Sequence, residues 1–363
     1  MPRRRSAPKP PPPCYAMVVP GLEPVAEEEI THDLGGEVKR TGRGLVVFRV
    51  PEIEPSLLSL RTVEDVFLLG WGTDQLSYRA EDLDRIRRWT AREIHLEALL
   101  RIHRALQPKP KGTPTYRLVT QMQGTHGYRR VDARKALAKG LEGKFPSGWR
   151  HVEENASVEV WLTIHGATAY CGLRLSDRTM RHRTYKMAHI AASLRPTVAA
   201  AMIRLANIKS NQVAIDPMCG AGTILAELLQ FGRARSLRIQ ALGGDRDAAS
   251  LRAAAANLRS LGRGFLSRWD ATRLPLPDRS VDRLISNPPF GKQLSSPQEV
   301  GPLYREMVRE YDRVLRPEAR AMLLVAELPP LKAALQEMSW SLQRQLRIRV
   351  LGQTAVLSVW RRR

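Results

Sequence analysis

The sequence predicts an α/β protein. Its C-terminal half is a doubly wound, mostly parallel sheet, and two smaller α/β units precede it. Three observations predict this. From residue 212 onward, five apolar runs, "QVAID", "RIQALGGD", "GFLSRWD", "VDRLISN" and "ARAMLLVAE", recur with helical segments after most of them. Such alternation is the signature of strands buried on both faces by helices. Residues 14–85 read strand, helix, strand, with "TVEDVFLLGW" starting another unit, and residues 86–175 repeat an alternation of strands and helices.

Each element has a local reason. Residues 1–13, "MPRRRSAPKPPPP", are basic and proline-rich and predict a disordered arm. The run Ala16 to Val19 predicts a short strand, and "GLEP" at 21–24 opens an amphipathic helix with acidic residues in its first turns. "GLVVFRV" is β-branched and reads as a strand. In the second unit, "AREIHLEALLRIHRAL" carries apolar residues at helical spacing until "QPKPKGTP" breaks it. "TYRLVTQMQ" is a strand, "VDARKALAKGLEGKF" a basic helix capped near Asp132, and "ASVEVWLTIHGATAYCGLRL" two strands about the His165-Gly166 turn. Residues 176–190 are a basic linker into the third unit, 191–363. There "LRPTVAAAMIRLANI" predicts a helix with Pro196 in its first turn. The tail, "LQRQLRIRV" and "QTAVLSVW" joined at Leu351-Gly352, predicts a hairpin that adds an antiparallel strand to the sheet.

Composition narrows the class. The 363 residues hold 58 Lys and Arg against 36 Asp and Glu, a net charge of +22. Residues 101–150 carry 12 basic and two acidic residues, whereas residues 51–100 carry six and ten. A bias spread over a whole proteome would not spare the neighbouring block. The segment therefore predicts a basic face for a polyanion, where counterion release from phosphates drives binding. No apolar run is long enough for a membrane span. Three distant cysteines, Cys14, Cys171 and Cys219, show no metal-ligand spacing and suit a reducing cytoplasm.

Two stretches carry chemistry. In "VAIDPMCGAGTILAEL" a strand ends at Asp216, Gly220 and Gly222 form a turn, and Thr223 opens a helix. The spacing fits neither a phosphate loop nor GxGxxG, because Leu225 occupies the third glycine position. An acid before the turn suits a cationic ligand. Asp245, at the next strand end, can accept ribose hydroxyls, and Asp270 follows at the third. Each acid alone is as well explained by a helix cap; all three at successive strand ends point to S-adenosylmethionine. The second stretch, "LISNPPFG", ends the fourth strand at an amide, Asn287, followed by two prolines and an aromatic.

Together "DPMCGAGTILAE" and "NPPFG" resemble motifs I and IV of class I S-adenosylmethionine-dependent methyltransferases acting on nitrogen. "LRPTVAAAMIRLANI" resembles the helix before motif I in THUMP-domain RNA methyltransferases, and "QMQGTHGYRRVDARKAL" is similar to the THUMP core. The resemblance implies a Rossmann-like domain with a seven-stranded sheet and terminal hairpin over 191–363. It implies a ferredoxin-like domain at 14–85 and a THUMP RNA-binding domain at 86–175. It also implies guanine-N2 methylation of tRNA, in or beside the acceptor stem. It assigns catalysis to Asn287, Pro288, Pro289 and Phe290: the amide oxygen and the Pro288 carbonyl would accept from the target amine, and Phe290 would stack on the flipped base. It assigns the cofactor to Thr197, Asp216, Cys219, Gly220, Ala221, Gly222, Thr223, Asp245, Arg246, Asp270, Ala271 and Asn287. Arg129, Arg130, Arg134, Lys135 and Lys292 would meet RNA phosphates, although a solvated helix face explains any one of the first four equally well. The sulfonium is an activated donor, so no metal is called for. A ribosomal RNA guanine-N2 enzyme, a DNA adenine-N6 enzyme and a non-catalytic RNA-binding protein with a relic fold are the rival readings. His126, His165 and Met218 read as turn or packing residues.

Overall fold

The computed structural model describes residues 11–110, 112–190, 193–262, 264–289, 300–326, 328–350 and 352–363. The N-terminal part runs β1 (Cys14–Val18), α1 (Glu23–Leu34), β2 (Glu37–Gly42), β3 (Leu45–Arg49), β4 (Val63–Thr73), α2 (Glu81–Glu93), α3 (Leu96–Leu106), β5 (Thr115–Gln123), α4 (Arg130–Gly140), β6 (Arg150–His151), β7 (Val158–His165) and β8 (Thr168–Arg174). Strands β1–β4 are antiparallel in the order β2-β3-β1-β4, the ferredoxin-like order. The second unit is mixed: β5 pairs in parallel with β6 and β7, and β7 is antiparallel to β8.

The sequence presents these units as separate modules. In the structure they share one eight-stranded sheet, because β4 pairs antiparallel with β8, Leu68 opposite Leu173. Strand β4 is 11 residues long, enough to lie between β1 on one side and β8 on the other. A β4 edge left open would expose unpaired amides. The last residues of the expected disordered arm, 11–13, are held against the sheet. Residues 1–10 lie outside the described set, but the Pro11 carbonyl accepts from Arg49 and the Pro13 carbonyl from Leu69 N.

The C-terminal part follows as α5 (Thr179–His182), α6 (Pro196–Ala206), β9 (Gln212–Asp216), α7 (Thr223–Ala234), β10 (Ile239–Asp245), α8 (Ala248–Leu258), β11 (Phe265–Arg268), β12 (Val281–Ser286), α9 (Val300–Val314), β13 (Leu315–Val325), α10 (Leu328–Glu337), β14 (Ser341–Val350) and β15 (Gln353–Arg361). The seven strands lie in the order β11-β10-β9-β12-β13-β15-β14. The first five are parallel and the terminal hairpin is antiparallel, as the sequence predicts. The order reverses between β9 and β12, the place where open α/β sheets bind ligands beyond their carboxyl ends. One helix layer packs α6 and α7 against Ala214, Ile285 and Met322. The other packs α9 and α10 against Ile215, Leu284 and Leu323.

The basic linker is anchored at several points. Glu227 on α7, with its side chain 1% exposed, accepts from Arg61 of the N-terminal part at 2.7 Å. It also accepts from linker residues Arg183 at 3.1 Å and Tyr185 at 2.7 Å. Further along, Asn257 on α8 accepts from Ala188 N and donates to the carbonyls of Ala188 and Ala221. The linker is thereby tied to the glycine turn that follows β9.

Candidate active site

The site is built around that turn. Strand β9 ends at Asp216, and the chain reverses through Gly220 (φ +51°) and Gly222 (φ +73°) into α7. Left-handed backbone at both positions is what glycine supplies without strain. A Cβ on Gly222 would also stand 3.1 Å from the Ala254 methyl. Two neighbouring strands hold the turn. Asp245, ending β10, accepts from Gly220 N at 2.9 Å. Trp269, just after β11, donates its indole N–H to the Pro217 carbonyl at 3.0 Å. The indole lies flat on Gly244, where any Cβ would collide with it.

A cavity of about 560 Å³ opens over the turn. That size suits a small cofactor or substrate. The strand-end acids Asp216, Asp245 and Asp270 line one wall, and Asn287 and Pro289 line it from the end of β12. Ile190, Ser193 and Leu194 bring the end of the linker and the approach to α6 to the same cavity. Cys219, Gly220, Ala221, Thr223, Arg246 and Ala271, all expected at the cofactor, also line it. Gly222 and Thr197 do not: Gly222 shapes the helix entry, and Thr197 is buried with no partner for its hydroxyl among the described residues. Pro288 is buried and does not line the cavity. Phe290 and Lys292 lie outside the described residues.

The three acids are not equivalent. Asp216 is 1% exposed. Burial drives its carboxyl up from 3.8 to about 7 and the Asp245 charge adds to the rise, while hydrogen bonds from Ser286 Oγ and Met218 N work against it. Both of those bonds end on Oδ1, so Oδ2 has no hydrogen bond among the described residues. Asp270 is held below its ordinary value by bonds from the Thr272 backbone and hydroxyl, so it closes a local turn while facing the cavity. The α8 cap falls to Asp247, which accepts from Ala249 N and Ser250 N. Asp245 is thereby left facing the cavity. Burial also raises the Cys219 thiol, which stays protonated.

Two buried oxygens in the cavity wall have no partner among the described residues: Asn287 Oδ1 and Ser193 Oγ. Buried acceptors without a partner are rare and costly. A ligand that donates to them accounts for both. S-adenosylmethionine fits the donor set, because it carries an ammonium and a ribose diol, donors that carboxylates such as Asp216 and Asp245 can accept from. Ile190, Ser193, Leu194 and Trp269 were not singled out from the sequence. Trp269 stands in the same "WDATRLP" as Asp270, but the linker end is held near this cavity by side chains remote from the motif, with Asn257 on Ala188 and Lys186 on the Leu194 carbonyl.

The expected RNA contacts divide. Arg129 is paired with Asp132 at 3.3 Å and Arg134 with Glu153 at 3.2 Å. Lys135 lines a second cavity, of about 700 Å³, together with Lys139. There Tyr116 stacks on Phe145 at 3.7 Å between centroids, with Trp149 and His151 beside them. Arg130 sits in the first turn of α4. His126 bridges the carbonyls of Gly124 and Gly166, a turn role.

A glycine turn after the first parallel strand, an acid at each strand end and an amide at the end of β12 stand on a sheet with the strand order of the class I S-adenosylmethionine-dependent methyltransferase fold. Residues 183–354 match the family described as UPF0020, RMKL-like, methyltransferase domain. The chain is 27% identical over 321 residues to the tRNA (guanine(6)-N2)-methyltransferase of Thermus thermophilus, covering 87% of this chain and 90% of the relative. It is 34% identical over 199 residues, 54% of this chain, to the mouse U6 snRNA (guanine-N(2))-methyltransferase THUMPD2, and spans 35% of that relative's length. Among solved structures, TrmN from Thermus thermophilus superposes with a TM-score of 0.76 at 24% identity, over 97% of this chain and 99% of that one. This last likeness establishes the fold.

Proposed function

We propose that the protein transfers a methyl group from S-adenosylmethionine to the exocyclic N2 of a guanine in tRNA, in the acceptor stem. The relative that matches along most of both chains is named for guanine 6, which makes that position the first to test. One observation carries the reading: Asn287 Oδ1, in the wall of the cofactor cavity, is a buried acceptor with no partner among the described residues.

A guanine amine is a poor nucleophile because its lone pair is delocalised into the ring. An acceptor fixed in a dry pocket binds one N–H, turns the nitrogen toward the donor and stabilises the charge that grows on the amine. The Pro288 carbonyl, next to it, is the second acceptor of the proposal. Bound S-adenosylmethionine supplies an electrophilic methyl on a sulfonium. Asp216 and Asp245 hold its cationic and diol portions, and the Trp269–Gly244 contact keeps the turn in place beneath it. Phe290 supplies the stacking face for the flipped base, and Lys292 a phosphate contact. Residues 14–85 and 86–175 act as the ferredoxin-like and THUMP domains that hold the RNA. Arg130, Lys135 and the Tyr116–Phe145 stack offer charge and aromatic faces for it, with base stacking contributing roughly 1–3 kcal/mol. Arg129 and Arg134 would exchange their carboxylates for phosphates. Among the described residues no helix is long and apolar enough to cross a membrane. The three cysteines are free and buried, which supports our placing the protein in the cytoplasm.

The test is incubation with labelled cofactor and tRNA, ribosomal RNA, U6 snRNA or duplex DNA, followed by digestion to nucleosides. N2-methylguanosine from tRNA is expected, and label in N6-methyladenine from DNA would overturn the reading. Asn287→Ala is expected to lower turnover by at least about 100-fold, the order found for loss of one transition-state hydrogen bond, with cofactor affinity within a few-fold of wild type. Full activity in that variant would remove Asn287 from the mechanism.

A further inference from the structure

A second strongly basic surface lies where the two halves of the molecule meet. Strand β14 is the outer strand of the C-terminal sheet. Its outer edge is covered by the loop after β1, with Arg349 N donating to the Pro20 carbonyl at 3.1 Å. The approach is so close that a Cβ on Gly21 would collide with the Arg347 carbonyl. Along β14, Ile348 and Val350 are buried while Arg347 and Arg349 are exposed on the opposite face. A groove of about 570 Å³ runs along this seam, lined by Arg347 and Arg349 from β14, by Arg43 from the β2–β3 turn, and by Glu23.

The charges in the groove are unbalanced. The Glu23 carboxylate accepts from Gly21 N and Gly44 N, so it fixes the two turns. Glu28 is paired with Arg344 at 2.6 Å. Arg43, Arg347 and Arg349 have no carboxylate partner among the described residues, although 24 ion pairs occupy other basic side chains.

Sheet register places these arginines relative to the active site. Ser286 is level with Leu323, Leu323 with Ser358, and Ser358 with Gln345, so one row crosses from β12 to β14. Strand β14 runs in the same direction as β12, since each is linked to the other through β13 and two antiparallel pairings. Asn287 is one residue beyond that row, and Arg347 and Arg349 are two and four beyond it. They therefore lie at the carboxyl edge of the sheet, the edge that carries the cofactor cavity. Three strand spacings, about 14 Å across the sheet, separate β14 from β12.

We infer that the Arg43–Arg347–Arg349 groove is a second RNA-binding surface, which grips the phosphate backbone flanking the target nucleotide and feeds it from the N-terminal part to the active site. This rests on RNA being the substrate, as proposed above. Guanidinium groups free of carboxylates gain the full benefit of displacing counterions from phosphates. Placing them on both sides of the seam also makes the grip depend on how the two halves sit together.

The test compares wild type with the triple variant Arg43→Gln, Arg347→Gln, Arg349→Gln. A charge-matched control, Lys209→Gln, Arg252→Gln, Arg259→Gln, changes exposed residues away from the seam. Affinity for unmodified tRNA is measured from low to moderate salt. The seam variant is expected to lower the slope of log K against log salt by about two to three, roughly one for each phosphate no longer neutralised. It should raise KM for tRNA about tenfold or more, with cofactor affinity and thermal midpoint as in wild type. The control should move the slope by less than about one. Equal slopes in seam variant and control overturn the inference, as they would if the groove served an acidic protein. The proposed function fails separately: if wild type binds tRNA with the full slope and the seam variant loses it, yet no guanine is methylated, the surface stands and the activity falls.

Discussion

Asp216→Asn separates what the cofactor needs from what the fold prefers. The carboxyl is buried, and its rise from 3.8 to about 7 means that the native state binds the proton more tightly than the unfolded chain. An acid raised in this way costs stability as it ionises. The cost is absent below about pH 4, grows between pH 4 and 7, and is complete above pH 7. At 1.36 kcal/mol per pH unit, the full cost is roughly 4 kcal/mol. Asparagine does not ionise. With its oxygen at the Oδ1 position it keeps the bonds from Ser286 Oγ and Met218 N, and its NH2 takes the place of Oδ2. The cofactor-free variant is therefore expected to be more stable than wild type by up to about 4 kcal/mol at pH 8, narrowing to about 1.5 kcal/mol at pH 5. Urea unfolding at the two pH values measures the difference. Calorimetric titration with S-adenosylmethionine should show affinity reduced at least about 100-fold, since a buried charge pair is removed. Wild-type affinity should itself weaken about tenfold per pH unit below 7, because the site must first lose a proton. A stability difference independent of pH, or normal cofactor binding by the variant, would refute the reasoning.

Two further changes test the scaffold. Glu227→Ala removes the carboxylate shared by Arg61, Arg183 and Tyr185 and strands a buried guanidinium, so urea unfolding should show a loss of about 3–5 kcal/mol; a loss below about 1 kcal/mol would mean that water replaces the pair. Gly244→Ala drives a methyl into the Trp269 indole, which should cost about 1–3 kcal/mol and weaken cofactor binding together with the Trp269–Pro217 bond. An unchanged affinity would show that the indole does not support the turn.

What the sequence makes legible here is local chemistry. The glycine turn, the strand-end acids and Asn287 each sit at a junction whose residue types admit few conformations, so a short window suffices to place them. The hairpin of β14 and β15 is legible for the same reason. What escapes is pairing between distant segments. Nothing near Leu68 or Leu173 announces that β4 will lie beside β8, because that choice depends on which edges remain open once each half has folded. The linker reads as a basic connector, since the Asn257 and Glu227 side chains that anchor it lie about 70 and 40 residues further on. In "GDRD" the two acids look interchangeable. Only the backbone settles that Asp247 caps α8 and Asp245 faces the cavity.

The bonds that each polar group already makes then sort scaffold from ligand groups more sharply than the motifs do. Asp247 and Asp270 engage neighbouring amides, and Asp245 accepts from Gly220 N with one oxygen and from Asp247 N with the other. Those bonds tie the three acids to the scaffold, so these acids shape the cavity whether or not they also touch a ligand. Asn287 Oδ1 and Asp216 Oδ2 have no such bonds among the described residues. One is an acceptor buried without a donor, and the other belongs to a carboxyl that burial makes reluctant to ionise. A fold tolerates such costs where a bound partner offsets them. In the proposed reaction the neutral acceptor suits an amine that must stay unprotonated to react, and the carboxylate suits the cofactor's ammonium. The proposal thus puts the two ends of the transfer, cofactor and nucleophile, at the ends of β9 and β12, adjacent strands of one sheet.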